Sequence, residues 1–167
     1  FRSKLWKSQE AIATTKPLIP LIDVKAQYAP LIPQLKERIG EVLESGRFIF
    51  GPEVEAFERE AAAFLGVPLA LGVANGTDAL VLSLEAMGIG RGDEVICPAF
   101  TFYATPESIA RAGATPVFAD IDPATMNLDP EDVAARITAR TKAIMPVHLF
   151  GRPAPLAALS ALGLPLI

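Results

Sequence analysis

The chain has 167 residues, of which 51% are hydrophobic and 20% are charged, and its formal net charge is −4. This length predicts one domain, and the acidic balance, with no basic tract outside Arg2, Lys4 and Lys7, argues against a nucleic-acid-binding surface. The single cysteine, Cys97, excludes an internal disulfide and favours a cytoplasmic location. With His148 as the only histidine, the chain offers no Cys/His cluster for zinc. The high apolar fraction suggests that a partner covers part of the surface, so we expect an oligomer.

The first part of the chain shows two helical patterns after an irregular start. Residues 1–20 have no clear hydrophobic period, and we expect them to form an N-terminal tail or arm. Apolar residues then recur at helical spacing after Pro33, with Gly46 and Gly66 as the stop signals. The apolar positions of these two helices are Leu35, Ile39, Val42, Leu43, Val54, Phe57, Ala61, Phe64 and Leu65.

The segment between these helices, residues 46–52, is bracketed by glycines and carries Phe48 and Phe50. Such a loop either inserts its aromatic side chains into the core of this domain or presents them to a ligand or a second subunit.

From residue 69 onward, apolar strands alternate with single helices. The predicted strands cover residues 69–74, 94–97, 116–119, 142–147 and 164–167, and the predicted helices cover residues 77–87, 103–112, 131–139 and 156–162. This alternation predicts an α/β fold with a mostly parallel sheet and helices on both faces. Ligands of such sheets bind beyond the carboxyl ends of the strands. Prolines interrupt the longest apolar stretch, so we expect no membrane span.

Residues 73–80 are the most informative segment, because they run from a predicted strand through Asn75 and Gly76 into a helix. A helix start directs unpaired N–H groups and a partial positive charge outward, which favours a phosphate. Gly76 allows a close approach and Thr77 adds a hydroxyl. The alternative is an ordinary turn in which Thr77 or Asp78 caps the helix. Without a P-loop or a dinucleotide glycine motif, the sequence favours a single phosphate over a pyrophosphate.

Two residues that follow predicted strands each allow a functional and a structural interpretation. Phe102, two positions after Phe100, either stacks on a flat ligand or belongs to the core. His148 either orients a substrate or cofactor or is a structural histidine with its hydrogen bonds satisfied.

The remaining candidates for chemistry are interpreted as structural. Asp120, Asp122 and Asp129 have the spacing of turn and helix-cap residues, so we assign no metal site to them. Cys97 lies at the end of an apolar strand and is expected to be a buried structural residue.

Several further segments form an ordered series along the chain: NGTDAL (75–80), GIGRGDEV (88–95), TFYAT (101–105), GATPVFADID (113–122) and PVHLFG (146–151), preceded by Asp23, Gln27-Tyr28 and SGRFIFGP (45–52). Together these segments resemble the amino-terminal half of the DegT/DnrJ/StrS nucleotide-sugar aminotransferases. The resemblance covers about residues 20 to 167. It implies that residues 21–167 are the amino-terminal, incomplete part of the large domain of a fold-type I pyridoxal phosphate (PLP) enzyme.

The resemblance also implies roles for particular residues. The backbone N–H groups of Gly76, Thr77 and Asp78, with the Thr77 hydroxyl, would hold the phosphate of PLP, and Phe102 would stack on its pyridine ring. Arg47, Phe48 and Phe50, together with His148, would belong to a substrate or interface region, with the loop near the active site of a homodimer.

By the same resemblance, the parent protein converts a keto group of a nucleotide-linked sugar to an amine, usually with glutamate as donor. None of Lys16, Lys25, Lys36 and Lys142 stands in the context of the family's Schiff-base lysine, so we assign no catalytic residue and expect this chain alone to be inactive. The alternatives are a PLP-dependent sugar dehydratase of the same family, in which histidine replaces that lysine, and a truncated dimerisation module without catalysis.

Overall fold

The computed structural model describes residues 22–167, which belong to two compact units, one ending at Ala70 and the other comprising Leu71–Ile167. The predicted tail, residues 1–20, lies outside the described residues. The first unit is helical, and its helices are α1 (Val24–Tyr28), α2 (Ile32–Ser45) and α3 (Pro52–Leu65), with a 3-10 turn at Ala29–Leu31.

Local sequence explains where the helices of the first unit begin and end. Gly46 and Gly66 adopt left-handed φ angles of 65° and 68° at the ends of α2 and α3, which confirms both predicted stop signals. The sequence did not predict α1, because five residues are too few to show an apolar period. The carboxylate of Asp23 caps α1 by accepting a hydrogen bond from the Ala26 N–H at 3.0 Å.

The loop between α2 and α3 depends on a glycine at position 51. A Cβ atom there would lie 2.5 Å from the carbonyl oxygen of Arg47, closer than real Cβ atoms come to backbone. Phe48 and Phe50 in this loop are exposed, and Phe50 has a positive φ of 46°. These exposed rings do not support the interpretation in which both insert into the core of this domain.

The second unit is an α/β layer structure, as predicted. Its elements, in chain order, are α4 (Gly76–Ala86), β1 (Glu94–Pro98), α5 (Ala104–Arg111), β2 (Thr115–Ala119), α6 (Pro130–Arg136), β3 (Thr141–Ile144) and α7 (Leu156–Ser160). The strands form a parallel sheet in the order β2-β1-β3. The carboxyl ends of β1 and β3 therefore meet at one edge.

Both faces of this sheet are covered, because successive side chains of a strand point to opposite sides. On one face, Val95 and Cys97 of β1 pack in a buried cluster with Leu84 of α4 and Ile109 of α5. On the other face, a second cluster combines strand residues with side chains of α6 and α7; its buried members are Ile96, Ala119, Leu128, Val133, Ile144 and Leu159.

Three of the predicted strands are wrong in extent or existence. The strand predicted over residues 142–147 is β3, which begins at Thr141 and ends at Ile144. Residues 69–74 form no strand, and Leu69 and Leu71 are 78% and 82% exposed. An apolar run becomes a strand only when a neighbouring strand accepts and donates its hydrogen bonds, and neither β2 nor β3 pairs with this segment. The predicted strand at 164–167 is reduced to a single parallel bridge between Ile144 and Leu166.

The single cysteine has the structural role that the sequence predicts. Cys97 is fully buried in β1, and burial raises the pKa of its thiol to about 12. Because the thiolate is the reactive form, Cys97 is not a nucleophile in the folded protein.

A hydrogen-bonded carboxylate stabilises the edge of the sheet where the amino ends of the strands lie. Glu94, the buried first residue of β1, accepts hydrogen bonds from the Thr138 hydroxyl at 2.5 Å and from Nε of Arg140 at 2.9 Å. The hydrogen bond from Thr138 lowers the pKa of Glu94 most, and Arg140 lowers it further against the opposing effect of desolvation. This network joins the start of β1 to the segment that leads into β3.

We therefore expect Glu94→Gln to reduce the acid sensitivity of the fold. A carboxyl whose pKa is lower in the folded than in the unfolded state stabilises the fold above its unfolded pKa of about 4.3, and this stabilisation disappears as the pH falls through the folded pKa. Urea unfolding at a series of pH values between about 7 and 3 measures the effect. Thr138→Val, which removes the largest cause of the shift, should reduce the same acid-dependent loss. Wild-type and Glu94→Gln curves that stay parallel across this range would contradict the assignment.

No helix among residues 22–167 is both long enough and apolar enough to cross a membrane.

Candidate functional site

A cavity of about 550 Å³ opens at the carboxyl edge of the sheet in the second unit. Three segments line it: the start of α4, residues 101–105 after β1, and residues 145–149 after β3. Its volume falls within the range of roughly 300–1,000 Å³ that is typical of small-molecule sites. The position agrees with the expectation that ligands bind beyond the carboxyl ends of parallel strands.

The start of α4 forms one wall of the cavity. Asn75, not Thr77 or Asp78, caps this helix: its Oδ1 accepts a hydrogen bond from the Asp78 N–H at 2.9 Å. The N–H groups of Gly76 and Thr77 have no hydrogen-bond partner among the described residues, and both residues line the cavity. The structure therefore leaves two backbone donors available at the positive end of the helix dipole.

Asp78, the third residue predicted to hold a phosphate, does not line the cavity. Its N–H is taken by the Asn75 cap, so a ligand could receive this donor only in exchange for the cap. Its carboxylate accepts a hydrogen bond from Nδ2 of Asn75 at 2.9 Å and lies 3.6 Å from the guanidinium of Arg111 on α5. Both partners balance a negative charge that would otherwise repel an anion at this helix start.

Phe102 lies on the segment between β1 and α5, lines the cavity and is 77% exposed. This exposure argues against the interpretation of Phe102 as a core residue. Phe100 is also half exposed but does not line the cavity. Of the two aromatic residues, only Phe102 could therefore contact a ligand in this cavity.

His148 lines the cavity just after β3, and its role toward a substrate or cofactor stays a prediction. Its Nδ1 accepts a hydrogen bond from the Ala154 N–H at 2.9 Å, as expected of a structural histidine. The residue is nonetheless exposed and belongs to the cavity wall. Because Nδ1 is an acceptor, the neutral ring carries its proton on Nε2, which remains available as a donor.

Two hydroxyl groups in the cavity were not singled out from the sequence. Thr101 and Thr105 both line it, and their hydroxyl oxygens lie 3.0 Å apart. Only Thr105 belongs to α5, since Thr101 lies in the bend before this helix, so no helical spacing in the sequence pointed to the pair. His148 is the only titratable residue in the lining of this cavity; the other polar groups there include backbone donors and threonine hydroxyls.

The loop residues predicted to form a substrate or interface region belong to the first unit, whereas the second unit alone builds the cavity. Arg47, Phe48 and Phe50 lie between α2 and α3, where the Arg47 N–H donates to the Ser45 hydroxyl at 3.2 Å. Their assignment stays a prediction.

The predicted turn roles of the aspartates are confirmed. Asp129 caps α6 by accepting from the Glu131 N–H at 2.9 Å, and Asp122 accepts from the Ala124 N–H at 2.7 Å. Asp120 accepts from the Ile121 N–H at 2.8 Å. Among residues 22–167 no three His, Cys, Asp or Glu side chains are grouped so that they could hold a metal ion.

The sequence profile of the DegT/DnrJ/EryC1/StrS aminotransferase family matches residues 31–164. The chain belongs to this family. The match confirms the resemblance drawn from the ordered motifs, and it contains every segment that lines the cavity. Aminotransferases of this family are pyridoxal phosphate enzymes.

Individual relatives agree with the family match. The UDP-2-acetamido-2-deoxy-3-oxo-D-glucuronate aminotransferase of Pseudomonas aeruginosa is 47% identical over 154 residues, which cover 90% of this chain and 43% of the relative. The crystal structure of DesV from S. venezuelae superimposes with a TM-score of 0.86 at 44% identity, covering 90% of this chain and 42% of that one. NtdA from Bacillus subtilis, solved with the bound cofactor PMP, has a TM-score of 0.84 at 31% identity, covering 91% and 37%.

These matches confirm the predicted fold class, a partial α/β domain of the PLP-dependent aminotransferases. The chain spans about 40% of the length of the curated relatives it matches.

The Asn75 cap generates a prediction about stability. Asn75→Ala removes the acceptor for the Asp78 N–H and should lower the free energy of unfolding by about 1 kcal/mol, within the range of 0.5–2 kcal/mol known for helix caps. Asn75→Ser is the matched control, because serine also caps well. Urea unfolding of the two variants measures the difference, and equal stabilities would show that the cap contributes nothing.

Proposed function

We propose that this chain is the amino-terminal part of a PLP-dependent aminotransferase that converts a keto group of a nucleotide-linked sugar to an amine, with glutamate as donor. One observation carries the proposal: two unpaired backbone donors of a helix start and one exposed aromatic ring line the same cavity. A phosphate and a flat ring joined in one small molecule match these two features. The Pseudomonas aeruginosa relative, whose name describes a nucleotide-sugar aminotransferase, supports the substrate class.

The helix start fits the phosphate of the cofactor. A Cβ atom at Gly76 would meet nothing within 4 Å, so the space in front of this residue is open to a ligand. The N–H groups of Gly76 and Thr77 and the hydroxyl of Thr77 would hold the phosphate oxygens. Each hydrogen bond to a charged acceptor stabilises a complex by roughly 1.5–3 kcal/mol, and the helix dipole adds to this attraction.

Phe102, an exposed residue of the lining, fits the cofactor ring. It would stack on the pyridine ring, and an offset-stacked aromatic pair contributes about 0.5–1.5 kcal/mol beyond the burial of surface. When bound, PLP supplies an electron sink for the carbon that exchanges its amino group. The apolar parts of the lining, among them Leu80, Met145 and Val147, would exclude water from this ring.

The remaining residues are assigned by the same proposal. His148 would contact an oxygen of the substrate or cofactor through Nε2. Arg47, Phe48 and Phe50 would contact the substrate or the second subunit of a homodimer in the cytoplasm. We assign the catalytic lysine of the family to none of the lysines in this chain.

Thr77→Ala tests the phosphate site in the full-length protein. Losing the hydroxyl should weaken PLP retention by about 1.5–3 kcal/mol, the range for a hydrogen bond to a charged acceptor. Ser83→Ala is the matched control, because Ser83 is an exposed hydroxyl residue of the same helix that donates to the Ala79 carbonyl and does not line the cavity. Equilibrium dialysis against PLP measures both dissociation constants. An unchanged value for Thr77→Ala would remove this residue from the site.

Transfer of labelled nitrogen tests the reaction itself. The full-length protein, incubated with [15N]glutamate and a panel of UDP- and dTDP-linked keto sugars, should produce a 15N-labelled amino sugar nucleotide that mass spectrometry detects. A protein that binds PLP and transfers no label to any sugar of the panel would contradict the proposed substrate class. Loss of water from the sugar without transfer of label would favour a dehydratase.

A further inference from the structure

The seven residues from His148 to Ala154 form a loop that is closed at its ends by a side chain. Nδ1 of His148 accepts the Ala154 N–H at 2.9 Å, six residues along the chain. Within the loop, the Gly151 N–H donates to the His148 carbonyl at 3.1 Å, and the Arg152 N–H donates to the Leu149 carbonyl at 3.0 Å. The orientation of the imidazole is therefore coupled to the shape of the whole loop.

Three further backbone groups of this loop bond to one distant side chain. Asn127, which is 1% exposed, donates from Nδ2 to the carbonyl oxygens of Arg152 and Pro153 at 3.1 and 3.2 Å. Its Oδ1 accepts the Leu149 N–H at 3.3 Å. One carboxamide thus binds both arms of the loop. The first arm is Leu149, next to His148, and the second is Arg152 and Pro153, next to Ala154.

Asn127 is itself held in a small hairpin, residues 120–129, in which Ile121 pairs with Leu128. The Asn127 carbonyl accepts the Asp122 N–H at 2.9 Å, and its N–H donates to the Thr125 hydroxyl at 3.3 Å. Arg152 ties the loop to the same hairpin a second time, because its guanidinium donates to the Ala124 carbonyl at 3.0 Å.

The backbone also indicates that this arrangement is imposed by its surroundings. Met126 and Phe150, one in the hairpin and one in the loop, have φ angles of 60° and 54°. L residues other than glycine rarely adopt this left-handed conformation, and such residues persist where the surrounding contacts determine them, often beside functional sites.

We propose that Asn127 is a positioning residue of the candidate site: its carboxamide holds both arms of the 148–154 loop so that His148 keeps Nδ1 bonded to Ala154 and offers Nε2–H to the cavity. Asn127 itself does not line the cavity and acts through the loop. Within this proposal, only the identity of the ligand that accepts the Nε2–H depends on the proposed function. The hydrogen bond from Ala154 to His148 can be tested without any ligand.

Nuclear magnetic resonance measures this hydrogen bond directly as a coupling between the two nitrogen nuclei, N of Ala154 and Nδ1 of His148. The full-length protein is used, with His148 signals identified by comparison with His148→Gln. We expect the wild type to show the coupling and Asn127→Ala to lose it. In this variant the Ala154 amide proton should also exchange about tenfold faster or more, because local opening of the loop no longer has to break the Asn127 hydrogen bonds. Asn127→Asp is the second variant, since it keeps the size of the side chain and replaces two donors with an acceptor facing two carbonyls.

Arg140→Ala is the matched control for general destabilisation. Arg140 also joins distant segments through a side chain, to Glu94 at the opposite edge of the sheet, and does not line the cavity. We expect this variant to keep the coupling. Absence of the coupling in the wild type, its retention in the Asn127 variants, or its equal loss in Arg140→Ala would each overturn the proposal. The wild-type measurement remains decisive where a variant does not fold.

A double-mutant cycle on PLP affinity separates a positioning role from a structural one. If Asn127 acts through His148, Asn127→Ala should raise the dissociation constant of PLP about fivefold in the wild-type background and leave it unchanged in the His148→Gln background. Equal effects in both backgrounds would overturn the positioning role. A wild-type protein that shows the coupling but does not bind PLP would instead contradict the proposed function.

Discussion

The candidate site depends on the parallel pairing of β1 with a strand on each side. All five residues of β1 are buried, and their alternation supplies side chains to the clusters on both faces of the sheet. Because β3 runs parallel to β1, the chain leaves both strands at the same edge, and the segments that follow them come to lie side by side. Leu84 packs α4 into the cluster that also contains Val95, so the helix that supplies Gly76 and Thr77 is held against the same sheet.

The chemistry of this edge is that of neutral donors. Asn75 accepts the Asp78 N–H and so stabilises the start of α4. The N–H groups of Gly76 and Thr77, which line the cavity, remain available to a ligand. Asp78 would place a negative charge beside them, but Asn75 and Arg111 hold its carboxylate. A helix start that keeps unpaired donors while its nearest carboxylate is balanced is suited to an anion without a lysine or arginine in the described lining.

The sequence predicted the features that depend on neighbouring residues and missed those that depend on distant ones. Stop signals such as Gly46 and the start of α4 near Gly76 are local, so a single stretch of sequence contains the necessary information. The phosphate contacts assigned to Gly76, Thr77 and Asp78 stay a prediction. The predicted strand at residues 69–74 failed because an apolar run does not reveal whether a neighbouring strand will pair with it. The sequence around Asn127 did not indicate its role either, since the three backbone groups that its side chain binds lie 22 to 26 residues away.

The two sides of the cavity are consequently anchored in different ways. The start of α4 is shaped by a cap that spans three residues, from Asn75 to Asp78, and this contact can form as soon as the helix does. The His148 side requires β3 to be paired, the hairpin at residues 120–129 to be closed and Asn127 to be buried against the loop. The helix start therefore depends on a contact between near neighbours, whereas the His148 side depends on contacts between residues far apart in the chain, whose loop-closure entropy the rest of the fold must offset. If Asn127 positions His148 as proposed, changes that loosen the hairpin reach the cavity through Asn127 and not through the helix start.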